Sequence, residues 1–168
     1  ANRRAVLVSR PVLPRLEYRT AAGQPRRLVG DNARPQLVTL WGSWCEPCLD
    51  ELAEFASASD RLDEAGLELL ALNVDDLEAD AATDGLPDTA AQCLKRIGLS
   101  LRQGVATREV AGVLNVFERS LLERERPLEL PASYLLTAEG ELAVIYKGAV
   151  AVEQVLRDMS LLDAHPAE

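Results

Sequence analysis

Histidine and methionine occur once each in this 168-residue chain, cysteine three times, and aromatic residues make up only 4% of it. Each scarcity narrows the possible chemistry. Structural zinc needs four Cys or His ligands, usually from two separate knuckles. Beyond one cysteine pair only Cys93 and His165 remain, both far along the chain, so zinc is disfavoured and no metal is expected. Three cysteines do not make a disulfide framework. No apolar run approaches the roughly twenty residues that cross a bilayer, and no signal peptide is visible. The chain begins at Ala1 rather than Met, which leaves room for a segment removed upstream. Lys and Arg, 18 in all, are outnumbered by 27 Asp and Glu. The net charge of −9 argues against nucleic acid and against a polybasic membrane contact. A hydrophobic content of 48% with few aromatics suggests Leu, Ala and Val packed in mixed α/β layers. This length suits one domain with ample core and no need of staples.

What is present centres on Trp44-Cys45-Glu46-Pro47-Cys48, the only CxxC. Gln36 to Trp41 reads as a short buried strand, and Gly42-Ser43 breaks it. Leu49, Leu52, Phe55, Ala56 and Leu62 then recur at helical spacing. Cys45 falls at or just before the first helical turn, with Pro47 near the helix start, where a missing N–H costs nothing. Free N–H groups and the positive end of the helix dipole stabilise a thiolate there. Cys48 lies one turn on. A purely structural disulfide across so short a loop restricts the unfolded chain little, so the pattern points to thiol–disulfide exchange.

Along the chain, residues 1–10 read as a poorly packed arm or linker in which Arg3 and Arg4 are solvated. Leu16–Tyr18 and Arg27–Val29 form a weak hairpin around Ala22-Gly23-Gln24-Pro25. A helix over about 46–65 ends at Gly66, and Leu67 to Val74 is a strand suited to a sheet covered on both faces. The βαβ unit so formed should be parallel. An acidic loop over Asp75–Asp88 leads to a helix over about 88–97, a short strand near 101–106 and an amphipathic helix over 108–124. The charge run from Arg119 to Arg126 is read as a solvated face, and Pro127 stops the helix. Ser133–Leu136 and Leu142–Tyr146 flank a hairpin turn at Ala138-Glu139-Gly140, and a last helix spans about 151–162. The reading is one α/β domain over 11–163, a mixed sheet with helices on both faces, followed by a tail at 164–168.

Leu40 to Leu52, with W-C-x-P-C at its centre, resembles the active-site segment of thioredoxin-fold proteins. Among these it is most similar to the TlpA/ResA-like extracytoplasmic thiol–disulfide oxidoreductases, several of which serve cytochrome c maturation. Leu130-Pro131-Ala132-Ser133-Tyr134 resembles the family's cis-proline segment, Glu139 to Leu142 its closing hairpin, and Leu72 to Asp75 the strand end between them. The likeness runs over about residues 12–160. It implies a thioredoxin-like fold with an N-terminal hairpin, and an enzyme acting on protein disulfides, in the reducing direction. It further implies an upstream electron donor, an extracytoplasmic location with the cytoplasm still open, and no cofactor beyond a Cys45–Cys48 redox disulfide. A monomer is expected. Thr39 stands where thioredoxin has a buried Asp. Glu51 matches a Glu that handles protons in ResA-like members. The segment between the 108–124 helix and Pro131 is longer than the family's usual connection and reads as a harmless extension, a lid or partner surface being the alternative.

Cys45 is the expected nucleophile. CxxC thiols at helix N-termini have pKa values of about 3.5 to 7.5, against about 8.5 for free cysteine. Glu46 beside it opposes the lowering, so the upper part of that range is expected. Cys48 would resolve the mixed disulfide, and Glu51, one turn beyond on the same face, would take its proton if partly buried. A solvated helix carboxylate is the alternative for Glu51. By resemblance Pro131 is cis, presenting the Leu130 backbone to a substrate strand. Trp44, Glu46 and Pro47 complete the substrate surface, Trp44 as an exposed rim, while Trp41 belongs in the core. Cys93, on a helix with Ala90, Leu94 and Ile97, reads as a buried small hydrophobe, a regulatory thiol being the alternative. His165 reads as inert. Two other functions stay open: a binding module of a larger secreted protein with incidental redox activity, and Cu(I) delivery by the two thiolates. A peroxiredoxin is disfavoured because Gly42 stands where that family has Thr.

Overall fold

The structure, a computed structural model, describes residues 3–29, 34–77, 84–98, 102–122 and 129–163. Its scaffold is one eight-stranded mixed sheet. The strands are β1 (Arg3–Val6), β2 (Glu17–Thr20), β3 (Pro25–Arg27), β4 (Gln36–Trp41), β5 (Glu68–Asn73), β6 (Arg102–Val105), β7 (Ala132–Leu136) and β8 (Leu142–Lys147). They lie in the order β1-β8-β7-β4-β5-β6-β2-β3. β4 is central and buried along its whole length, parallel to β5 and antiparallel to β7. The run Gln36–Trp41 has no polar face because helices cover both sides of it, as an internal strand requires.

Successive residues of β4 serve opposite layers. Val38 and Leu40 join the core under α4 (Arg108–Leu122), with Val110 and Leu114. Leu37 and Trp41 point to the other side, against α1 (Glu46–Ser57), α2 (Ser59–Glu64), α3 (Asp88–Ile97) and α5 (Val152–Leu162). The expected α/β architecture is therefore observed, including the β2–β3 hairpin. That hairpin closes the far edge by pairing antiparallel with β6. Gly104 permits the contact: a Cβ there would lie 2.5 Å from the Arg19 carbonyl and 2.8 Å from the buried ring of Tyr18.

Three local expectations are corrected. The single helix over 46–65 is two helices, broken at Ala58 (φ −104°, ψ 13°). The Ser57 hydroxyl donates back to the Ala53 carbonyl at 3.0 Å, a bond that bends helices. The arm over residues 1–10 is not loose where it is described: it is anchored by a strand and by the buried Leu7, although Val8 stays exposed. Arg3–Val6 pairs with β8, whose outer edge offers unpaired backbone groups, and Leu7 N–H continues the ladder to the Ala143 carbonyl at 2.9 Å. Nor are its arginines merely solvated: Arg3 pairs with Glu129, and Arg4 grips the buried carboxylate of Asp158, which Tyr146 also bonds. Burial pushes the Asp158 carboxyl up, but these donors outweigh it and hold it below its ordinary value. The tail with His165, and most of the longer segment before Glu129, lie outside the described residues.

Candidate active site

Cys45 is the N-cap of α1, in extended conformation, with Glu46 and Pro47 as the first two helical residues. Pro47 fits because no intrahelical acceptor exists for an N–H at that position. Cys45 and Cys48 are joined by a disulfide, their Cα atoms 5.2 Å apart. The Cys48 N–H donates to Cys45 Sγ at 3.3 Å, and the Cys45 carbonyl accepts from Cys48 and Leu49. The Cys48 N–H at the helix end is thus shared between the Cys45 carbonyl and the first sulfur, as an N-cap position allows. Cys45 keeps 9% of its surface accessible and Cys48 none. Cys45 is thus more enclosed than a freely reachable thiol, because Trp41, Leu52 and Leu130 pack around the pair. The residual opening still distinguishes the two cysteines, and it lies at Cys45.

The loop entering the helix is tied to the end of β5. Ser43 N–H donates to Asp75 Oδ1 at 2.8 Å, and Asp75 exchanges two 3.0 Å hydrogen bonds with Asn73. Trp44 is 65% exposed. Its ring lies over Gly42, where a Cβ would come within 2.8 Å of it. Glu46 and Pro47 are exposed at the helix start. Trp41 is fully buried.

Leu130 packs against the cluster that holds Cys45 and Cys48. The Leu130–Pro131 peptide bond is cis, and the Pro131 carbonyl accepts Gly148 N–H at 2.9 Å. Cys93 is buried in the same cluster, with Arg96 3.7 Å from its sulfur.

Glu51 is buried, not solvated. Cys48, Glu51, Leu52 and Phe55 form the inward stripe of α1, so a carboxylate occupies a core position. Oε1 accepts from Thr39 Oγ1 at 3.0 Å and Oε2 from Val150 N–H at 2.8 Å; the Ser133 hydroxyl lies 3.5 Å from Oε1. Burial raises its pKa from 4.5 to about 7; these three donors oppose the rise and nearby Glu54 adds to it. Thr39, marked in the sequence only as a missing acid, is thus a partner of the acid supplied by α1. Ser133 stood in the sequence only as part of the proline segment and its strand, and Val150 carried no signal there. The same holds for a second buried carboxylate, Glu118 on α4, which pairs with Lys147 and accepts from Tyr134 at 3.0 Å.

A strand–loop–helix whose helix opens on a CxxC capped by its own first cysteine, packed near a cis X-Pro segment just before β7, defines a thioredoxin-like redox protein. The family model described as AhpC/TSA matches residues 12–145, and the chain belongs to that family. Its fold is shared by a secreted thiol-disulfide isomerase from Corynebacterium glutamicum (TM-score 0.74, 19% identity, covering 95% of this chain and 92% of that one). It is shared too by a DsbF homologue from Corynebacterium diphtheriae (TM-score 0.72, 14% identity, 95% and 92%). StoA from Bacillus subtilis is more distant in shape (TM-score 0.57, 18% identity, 88% and 98%). The TlpA/ResA-like resemblance drawn from the two motifs is consistent with these relatives.

Proposed function

We propose that the protein is a thiol–disulfide oxidoreductase that reduces protein disulfides through Cys45 and Cys48. The observation that carries this reading is the asymmetry of the pair: one sulfur at a capped helix end with part of its surface accessible, the other enclosed. In the reduced protein the Cys45 thiolate, favoured by the Cys48 N–H and the helix terminus, attacks a substrate disulfide. A mixed disulfide forms and one substrate sulfur leaves as thiolate. Cys48 gives its proton to Glu51, one turn away, and attacks Cys45 Sγ. The Cys45–Cys48 bond forms, the mixed disulfide breaks, and the second substrate sulfur departs as thiolate. Two electrons pass to the substrate, and an upstream dithiol donor restores the enzyme.

Trp44, Glu46, Pro47, Leu130 and Pro131 supply the substrate surface in this reading, with an extended peptide lying along the segment before β7. The redox disulfide is the whole prosthetic equipment. We place the protein outside the cytoplasm, as a monomeric domain. No helix among the described residues is long and apolar enough to cross a membrane. The test is reduction of a model protein disulfide by wild type and Cys45→Ser. Loss of turnover in the variant supports the proposal; equal, slow rates refute it. A Cys45–Cys48 potential near about −270 mV supports reduction, whereas one near about −120 mV makes the protein an oxidant.

A further inference from the structure

The Glu51 carboxyl is gripped by groups from three separate parts of the chain: Thr39 on β4, Ser133 on β7 and Val150 in the loop after β8. The donors are not equivalent. A backbone N–H can only donate, so Oε2, 2.8 Å from Val150 N, is an acceptor whether the carboxyl is charged or neutral. The proton of the neutral acid therefore belongs on Oε1. There the partners are hydroxyls, which donate or accept by rotation. With Glu51 ionised, Ser133 donates to Thr39 Oγ1 at 3.0 Å and Thr39 donates to Oε1 at 3.0 Å. With Glu51 neutral, Oε1–H donates to Thr39, and the Thr39 hydroxyl turns toward Ser133.

We infer that Thr39 and Ser133 are positioning residues, a two-hydroxyl relay that fixes Oε1 as the oxygen carrying the Glu51 proton and sets how tightly that proton is held. The inference deepens the proposed function and rests on it only for the link to Cys48. All three side chains are buried, so water does not replace a lost partner, and a missing bond is felt in full. The relay is also joined to the peptide-docking segment. Ser133 follows Pro131 by two residues, and Gly148, bonded to the Pro131 carbonyl, precedes Val150 by two.

Other charge near Glu51 is sparse. On its own helix stand Cys48 and Glu54. From β4 and β7 come only the two hydroxyls, and from the loop only the Val150 N–H. Further along this face β8 and α5 present Tyr146 and Asp158, bonded to each other, with Asp158 also held by Arg4. Thr39 and Ser133 are thus the adjustable partners.

The test is a titration of the Glu51 carboxyl carbon by NMR in the oxidised full chain, where Cys48 has no proton to lose, with the resonance assigned through Glu51→Gln. Thr39→Val, nearly the same shape without the hydroxyl, should move the midpoint up by about one pH unit, the worth of a hydrogen bond to a charged group. Ser133→Ala should move it less, in the same direction, and Thr39→Ser should restore the wild-type value. Midpoints for Thr39→Val and Ser133→Ala that coincide with wild type overturn the relay; should Thr39→Val fail to fold, Ser133→Ala decides. A second measurement separates the two readings. If the pH profile of mixed-disulfide resolution is the same in wild type and Glu51→Gln while the carboxyl midpoint still moves in Thr39→Val, the relay stands and the proton transfer from Cys48 fails. If resolution depends on Glu51 but no hydroxyl variant moves its midpoint, the relay fails and the transfer stands.

Discussion

Replacing Glu51 with Gln should stabilise the oxidised protein at alkaline pH and change it little in acid. The folded carboxyl holds its proton up to about pH 7, while the unfolded chain releases it near 4.5. Below that lower value both states are protonated and the group contributes no pH dependence. Between the two, the native state binds one proton more than the unfolded state, so stability falls as pH rises. Above the upper value the penalty is complete. A rise from 4.5 to about 7, at 1.36 kcal/mol per pH unit, is worth about 3 kcal/mol. Gln removes the charge but keeps the shape. Its carbonyl can accept from Val150 N–H, and its amide can donate to the Thr39 hydroxyl, so the pocket stays satisfied. Urea unfolding of both proteins, oxidised, at about pH 5 and about pH 8.5, checks this. The advantage of the variant should grow by up to about 3 kcal/mol between the two conditions. An equal difference at both, or one that shrinks with pH, refutes the burial argument.

Two further substitutions have defined outcomes. Lys147→Met should cost about 3–5 kcal/mol by leaving Glu118 charged and enclosed, and adding Glu118→Leu should recover most of the loss; additive single-variant costs in a denaturation cycle contradict a coupled pair. Gly42→Ala places a methyl within 2.8 Å of the Trp44 ring and must move it. Tryptophan emission should shift and reaction with a peptide disulfide slow several-fold, whereas unchanged emission and rate refute the stacked arrangement.

The elements that the sequence shows well are those whose signals are local. β4 and β5 are mostly apolar runs, α1 begins at a capping cysteine with proline two residues on, and the β7–β8 hairpin turns at Gly140. Elements that depend on distant partners were opaque. β1 is written in arginine and small apolar residues, and becomes a strand only because β8 presents an open edge. The hairpin β2–β3 was legible as a unit, but its docking beside β6 is a long-range choice. Residue type left Glu51 open between a buried proton acceptor and a solvated carboxylate, and gave no sign of Glu118. Each stands in the inward stripe of an amphipathic helix, one turn from Cys48 or Leu114, where periodicity argues for burial and charge argues against it. At Glu51 the hydroxyls of two strands and a loop N–H decide the matter. A single chain of letters does not announce such a meeting.

The two rims of the sheet have a consequence for how copies of this chain meet one another. A ribbon of molecules joined strand to strand would have to start at β1 or at β3, since the other six strands are flanked on both sides. Those rims are four and three residues long. One carries Arg3 and Arg4, the other Pro25, Arg26 and Arg27, and proline withholds the hydrogen that lateral growth requires. The architecture therefore discourages fibre-like propagation at the very places where a β-rich protein is most exposed to it.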